Sequence, residues 1–467
     1  MSSRSLIILG ATGDLTRRLL LPALDGVLAS LEAQTDESEL ELIGAGHDPD
    51  AGREWASIVA GALGAGALRD RVTESTRFEQ VDATSAADLQ QVIATAQHAP
   101  IIYFALPPAV TERAIDALAT IELPAETRLA LEKPFARDEA TARALNAHLD
   151  ALVPESRIHR IDHFLAKSTV INLLGLRFAN RVLEAVWRSD HVASIDIVYD
   201  ETLALEGRAG YYDRAGALVD MIQSHLLLVH ALVTMQRPAS LEADDLHDAM
   251  RGALAATVLF GGDPVTSSRR ARYTAGTIDG RQIPDYVAEP DVDPARDTET
   301  LAEVTVEVQT PRWSGVPITL RSGKAIGRPA TEIRLTMRPV HDQLDGLHGD
   351  APPATIRVSL APEHLSIDLD INGAGDPFDL DRVTLETDFG DGQLSAYGEV
   401  LAGILAGDDT LSVRGDLAEQ CWRITDAVLE SWRSGDVPLD EYEAGSSGPS
   451  NWSARHSTPE RAVMVTE

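Results

Sequence analysis

A formal charge of −33 on 467 residues, from 73 acidic against 40 basic side chains, makes a poor surface for nucleic acid or anionic membranes and implies a chain kept apart by self-repulsion. At 44% hydrophobic, the sequence has enough apolar material for a sizeable core, and its length suits two large α/β domains. One cysteine, Cys421, allows no internal disulfide and no metal-type cysteine spacing, so a reducing cytoplasm is expected and no metal is.

The first element is a short apolar strand, Ser5 to Leu9, and neither a signal peptide nor a transmembrane span is expected there. It runs into Gly10-Ala-Thr-Gly13-Asp-Leu-Thr, two glycines three apart at a strand-to-helix junction. Such a turn lets the backbone approach a pyrophosphate at a helix N-terminus. The full three-glycine fingerprint is absent, so an ordinary strand-to-helix turn fits as well. Arg17 and Arg18 follow on the first helical turns, facing either a phosphate or solvent. The helix is predicted to run to about Leu31, with an acidic loop from Thr35 to Glu41.

Leu40 to Gly46 is predicted as the second strand, and the residue just beyond it often meets the adenosine ribose in such folds. An arginine there would welcome a 2′-phosphate, whereas a carboxylate would hydrogen-bond free hydroxyls. The chain offers His47-Asp48, which leans towards NAD over NADP, although Arg53 could reach back. Strands are predicted at 78–81, 100–105 and 128–131, and helices near 86–96 and 109–120. This alternation is the pattern of a parallel sheet with covered faces. Two strand ends carry chemistry. Ala105-Leu-Pro-Pro108 makes a rigid turn suited to lying against a nicotinamide or ribose. Lys133 stands at the carboxyl edge of the sheet, before Pro134.

Arg157 to Lys167 forms a junction. A short strand ends at Ile161 and a helix follows through Leu173 and Leu176, so His163 and Lys167, four apart, are predicted to share a helical face. With the unpaired amides of a helix start, that region can hold an anion. Asp162 reads as the helix cap, with His163 a satisfied surface group, and that role is compatible with a buried carboxylate fixing the tautomer of a nearby histidine.

From Val192 the pattern changes. A strand over 193–202 precedes Glu206 to His225, which opens with glycines, passes Tyr211 and Tyr212, and becomes an apolar helical run carrying Asp220, Gln223 and His225. An imidazole at the start of a mostly buried helix is restricted in tautomer and exposure, as a proton-transfer base requires. The helix is predicted to continue to Met235, and another to cover 242–256. Strands follow at 301–309, 316–321, 331–337, 354–360, 364–371 and 380–387, many with period-two alternation. A large sheet of this kind suggests a homodimer. Residues 261–296 are read as irregular, with Arg269, Arg270 and Arg272 either near a ligand or solvated. Arg321-Ser-Gly323-Lys324 closes a strand in a glycine turn and places Lys324 as a substrate contact. Leu411 to Trp432 is helical, and a loose tail is expected from Gly445.

Taken together, Gly10-Ala-Thr-Gly-Asp-Leu, Glu132-Lys-Pro-Phe-Ala-Arg-Asp138, Arg160-Ile-Asp-His-Phe-Leu-Ala-Lys167, Asn172 to Asn180, Gly207 to Leu227 and Val316 to Lys324 occur in the order found in one family. The chain resembles glucose-6-phosphate dehydrogenase over most of its length. The resemblance implies an α/β Rossmann-like coenzyme domain, residues 1–162, and a β+α substrate-binding and dimerisation domain with a large, mainly antiparallel sheet, residues 163–444. Residues 445–467 would form the tail. It implies oxidation of a hexopyranose at C1 to a lactone with NADP or NAD, by a homodimer or dimer of dimers. His225 would accept the C1 hydroxyl proton, and Asp162 would pair with it. His163 and Lys167 would hold the sugar phosphate, and Lys133, Glu201, Asp220 and Lys324 would contact the sugar. Gly10, Thr12, Gly13, Asp14, Leu15, His47, Pro107 and Lys133 would meet the cofactor.

Several positions depart from the family pattern: Phe164 replaces a tyrosine, Leu19 and Pro329 stand at usually basic positions, Ser224 replaces an asparagine, and His47 replaces an arginine. Each lost charge-assisted bond is worth about 1.5–3 kcal/mol. The departures therefore raise two rivals: an NAD-linked dehydrogenase of a neutral or 6-sulfonated hexose, and an inactive regulatory or scaffold homologue.

Overall fold

The computed structural model describes residues 3–34, 39–207, 209–390 and 392–452. The first part of the expected acidic loop (35–38), Arg208, and residues 453–467 of the expected tail lie outside the described residues.

Contacts divide the chain into two compact units: 1–181 with 227–256 and 389–426, and 182–226 with 257–388 and 427–467. The linear division at 162/163 expected from the sequence differs from this partition. Helices far along the chain, such as Ala396–Ala406, return to the first unit because their apolar side chains complete its core.

The first unit is built on six parallel strands: β1 (Arg4–Leu9), β2 (Leu40–Gly46), β3 (Arg77–Gln80), β4 (Ala99–Phe104), β5 (Arg128–Glu132) and β6 (Ile158–Ile161). Their spatial order is β3-β2-β1-β4-β5-β6, the doubly wound arrangement whose direction reverses between β1 and β4. β1 is buried along its whole length, as expected of a strand covered on both faces. One face packs Leu6, Ile8, Leu24, Leu28 and Leu42 with Ile404 and Leu405; the other packs Ile7, Leu9, Ile43, Ile102 and Phe104. Helices at 49–62, 67–75 and 139–150, which the sequence reading passed over, fill the outer layer.

The second unit holds a ten-stranded mixed sheet among its described residues. Its order is 380–388, 363–372, 355–360, 330–337, 192–200, 318–323, 301–308, 268–274 and 439–443, with 257–259 pairing 301–308. Most neighbours are antiparallel, as expected. Strand 318–323 runs parallel to 192–200, and 439–443 runs parallel to 268–274.

Two sequence expectations give way here. The span 261–296 is not irregular throughout: Ser268–Thr274 is a strand, and Arg269 and Arg270 face partners within the fold. Arg269 pairs with Glu303 at 2.8 Å, and Arg270 donates to the carbonyls of Trp432 and Val437. The tail is packed through Trp452, whose ring lies 4.4 Å from the Arg269 guanidinium and whose indole N–H donates to Asp440.

Among the described residues, one helical stretch, Ala209–Thr234, is long and apolar enough to cross a membrane, and 89% of its apolar window is buried in the protein. It is a core element. Cys421 is likewise buried, and burial pushes its thiol pKa well up, towards an inert thiol.

Candidate active site

The first unit places the cofactor-type residues at the carboxyl ends of its strands. Gly10 ends β1 with φ +83, and a Cβ built there would lie 2.2 Å from the Ala105 carbonyl oxygen. No side chain fits between the first turn and the end of β4. The Gly13 N–H closes the turn on the Gly10 carbonyl at 3.0 Å. Thr16 is buried, and its hydroxyl bonds back to the Gly10 carbonyl at 3.4 Å. Thr12, Asp14 and Leu15 line the same turn, and the chain enters a helix at Thr16 whose first amides lack intrahelical acceptors. This tight turn, bare of side chains at Gly10 and Gly13, fits a dinucleotide pyrophosphate.

His47 follows β2 and is exposed, while Asp48 caps the helix Pro49–Ala62 by accepting the Asp50 N–H at 2.9 Å. Arg53 is engaged by Asp50 at 3.3 Å. Arg18 pairs with Asp14 at 3.3 Å, and Arg17 lies 3.8 Å from Glu54. Pro107 is exposed at the start of the helix Pro108–Leu118.

At the end of β5, Lys133 precedes a cis proline, Pro134. Beside it, Glu132 receives the Tyr103 hydroxyl and a second hydrogen bond from Tyr397. Burial raises its carboxyl to about 7, against the opposing pull of Tyr103 and Lys133.

The junction differs from the sequence expectation. The helix begins at Ser168, so His163 and Lys167 sit in the turns before it and share no helical face. Asp162 does not cap that helix. It is fully buried, and its carboxylate accepts the Phe164 N–H at 3.0 Å, a local turn that competes with helix. The His163 ring stacks on Tyr397 at 5.3 Å, and the Lys167 ammonium lies 4.1 Å from the centre of the Phe164 ring. Phe164 therefore contributes a cation–π contact where the family pattern has a hydroxyl.

The second unit assembles the sugar-type residues. Lys324, just beyond strand Ile318–Gly323, donates to Glu201 at 2.8 Å, and its ammonium lies 5.2 Å from the Tyr212 ring. Burial raises the pKa of the Tyr212 hydroxyl well above its ordinary value, and the nearby carboxyls of Asp220 and Glu299 add to it. His225 is 2% exposed, on the segment Leu218–Leu226 with Asp220 and the buried Gln223 and Ser224. Glu201, Lys324, Asp220 and Tyr212 thus form one polar cluster, offering two carboxylates, an ammonium and a phenol to a polyhydroxylated ligand.

Sequence reasoning missed Tyr103, Glu132, Tyr212, Tyr397 and Glu299. Glu132 adjoins Lys133 at the end of β5, so its position is visible in the sequence. Tyr397 joins the His163 turn from more than 200 residues away, and no local pattern marks it.

Comparison with known proteins accounts for this arrangement. Residues 7–172 match the family model for the NAD binding domain of glucose-6-phosphate dehydrogenase, and residues 174–461 match the model for its C-terminal domain. The chain is 37% identical to a glucose-6-phosphate 1-dehydrogenase of Gluconobacter oxydans, covering 95% of this chain and 94% of that protein. A Treponema pallidum protein of the same name is 34% identical, over 95% and 92%. A crystal structure of glucose-6-phosphate 1-dehydrogenase from Mycobacterium avium superposes with TM-score 0.81 at 32% identity, over 96% and 95%. A glucose-6-phosphate dehydrogenase in complex with its substrate glucose-6-phosphate gives 0.85 at 25% identity, over 96% of each chain. A nicotinamide dinucleotide is therefore the cofactor class of the first unit, and the chain belongs to the glucose-6-phosphate dehydrogenase family.

Proposed function

We propose that this protein oxidises C1 of glucose 6-phosphate to the 1,5-lactone, with hydride passing to NAD(P). The observation that carries the reading is the polar cluster of Glu201, Lys324, Asp220 and Tyr212, with His225 on the same segment as Asp220. The two rival readings are not favoured: relatives 30–37% identical over at least nine-tenths of the chain carry the name glucose-6-phosphate 1-dehydrogenase.

In this reading Glu201, Asp220 and Lys324 orient the ring hydroxyls through charge-assisted hydrogen bonds. His163 and Lys167 bind the phosphate, with Tyr397 and Phe164 holding their side chains from one side. An imidazole nitrogen of His225 accepts the proton from the C1 hydroxyl. Burial excludes water from the imidazole and narrows its orientations. Gly10, Thr12, Gly13, Asp14 and Leu15 would hold the cofactor's pyrophosphate, with His47, Pro107 and Lys133 along its length. The bound nicotinamide would supply the hydride acceptor.

NAD is the preferred cofactor in this reading. The position after β2 carries His47 rather than an arginine, and Arg53 is held by Asp50. The exposed apolar side chains Leu369, Ile371 and Leu385, near the outer edge of the large sheet, support a homodimer or dimer of dimers. The cysteine usage supports a cytoplasmic setting.

The test is His225→Asn, assayed on glucose 6-phosphate with NAD and with NADP. Loss of a general base costs about 10²–10⁴ in turnover, so kcat is expected to fall by at least a hundredfold with a modest change in sugar KM. Wild-type turnover in this variant would remove His225 as the base. A higher kcat/KM with NADP than with NAD would overturn the cofactor preference.

A further inference from the structure

The segment Leu218–Leu226 is π-helical. Its hydrogen bonds span five residues, so Asp220 and His225, five apart, stand one turn apart on one face. In an α-helix the same two side chains would diverge by about 140°. The proposed chemistry therefore depends on where this segment starts and how it is rotated.

A carboxyl distant in sequence meets that start. Glu299 precedes strand Leu301–Val308 and is 6% exposed. One of its carboxyl oxygens accepts the Leu218 N–H at 3.0 Å, and its backbone carbonyl accepts the Ala217 N–H at 3.3 Å. Gly216 leaves room for this: its φ is +67, and a Cβ there would lie 2.3 Å from the Glu299 carboxyl oxygen. The preceding helical turn is pinned separately. Asp213 accepts from Tyr286 at 2.8 Å, from the Asp293 N–H at 3.0 Å, and from Arg296.

First-turn amides lack intrahelical acceptors, and local side chains usually cap them. Here the cap arrives from 81 residues away and is anchored to the sheet. It can therefore transmit the sheet's position to the helix. Burial raises the Glu299 carboxyl to about 7, opposed by the N–H groups of Leu218 and Ala217 and by Arg270.

We propose that Glu299 is a positioning residue for the reaction: by capping Leu218 over Gly216, it sets the rotation of the π-helical segment and so the placement of Asp220 and His225. This rests on the role assigned to His225 above. The relevant quantity is reach rather than charge. Glu299→Gln keeps a side-chain oxygen at the Leu218 N–H, Glu299→Asp withdraws it by one methylene, and Glu299→Ala removes it.

In the purified full-length protein, turnover of glucose 6-phosphate should stay within about threefold of wild type for Glu299→Gln. It should fall about thirtyfold or more for Glu299→Asp and Glu299→Ala, since a misplacement near 1 Å costs about 10²-fold. Sugar KM should rise by less than kcat falls. Wild-type kcat in the Asp and Ala variants, even with lowered melting temperatures, would mean a merely structural cap and overturn the proposal. An Asp variant more active than the Gln variant would also overturn it. If Glu299→Ala does not fold, the Gln and Asp variants carry the comparison. His225→Asn measured alongside separates the two readings. An active His225→Asn protein defeats the base assignment itself. An inactive one, with every Glu299 variant at wild-type kcat, defeats only the positioning role.

Discussion

Gly10→Ala tests the turn on which cofactor binding depends. The native φ of +83 lies in the left-handed region, where an alanine costs about 1–2 kcal/mol. The added methyl would sit 2.2 Å from the Ala105 carbonyl oxygen, well inside the 3.0 Å that real Cβ contacts respect, so the turn must move by about 0.8 Å. That movement strains the Gly10 N–H to Ala45 and Ala105 N–H to Leu9 hydrogen bonds, both 2.9 Å. Weakening one of them adds about 0.5–1.5 kcal/mol. The total, about 1.5–3.5 kcal/mol, should lower the melting temperature by roughly 2–4 °C in a protein of this size. Thermal unfolding followed by circular dichroism, without cofactor, reads this directly. In steady-state assays the displaced backbone should raise cofactor KM about tenfold or more, leaving sugar KM within twofold. A variant with wild-type melting temperature and cofactor KM would refute the reasoning, because the turn would then have slack that the 2.2 Å approach excludes.

Two further outcomes are expected. Asp196, buried in strand Val192–Asp200, has its carboxyl raised to about 7, chiefly by burial, with Arg334 opposing and Glu303 and Glu332 adding. Its folded pKa lies above the unfolded value near 3.9, so its stabilising contribution is complete below pH ~4 and is lost as pH rises through 7, at most about 4 kcal/mol. Urea unfolding from pH 4 to 7 should show Asp196→Asn gaining on wild type by up to that amount, and parallel curves would refute it. Lys324→Met removes the partner of Glu201 at 2.8 Å. It should raise KM for glucose 6-phosphate about tenfold or more with a smaller change in kcat, and an unchanged sugar KM would remove Lys324 from the substrate contacts.

The strands of the first sheet are written in local residue patterns. The strands at 4–9, 40–46, 99–104 and 128–132 are apolar runs punctuated by glycine or proline, and each is decided by residues within a few positions of it. The glycine turn at Gly10 and the Glu132-Lys133-Pro134 strand edge were legible for the same reason: short motifs carry their own geometry. Features that depend on partners distant in the chain emerge from the folded arrangement alone. His163 and Lys167 look like a helical i,i+4 pair, but Asp162 bonds the Phe164 amide and delays the helix to Ser168. Arg269 looks like a surface or ligand arginine until strand 301–308 presents Glu303 beside it. The π-helical register that aligns Asp220 with His225, and the Glu299 cap at its start, join residues up to 81 apart. Periodicity reports which face of an element is apolar. Which residue of another element meets that face is set by packing across the fold, where loop closure over long separations leaves no local trace.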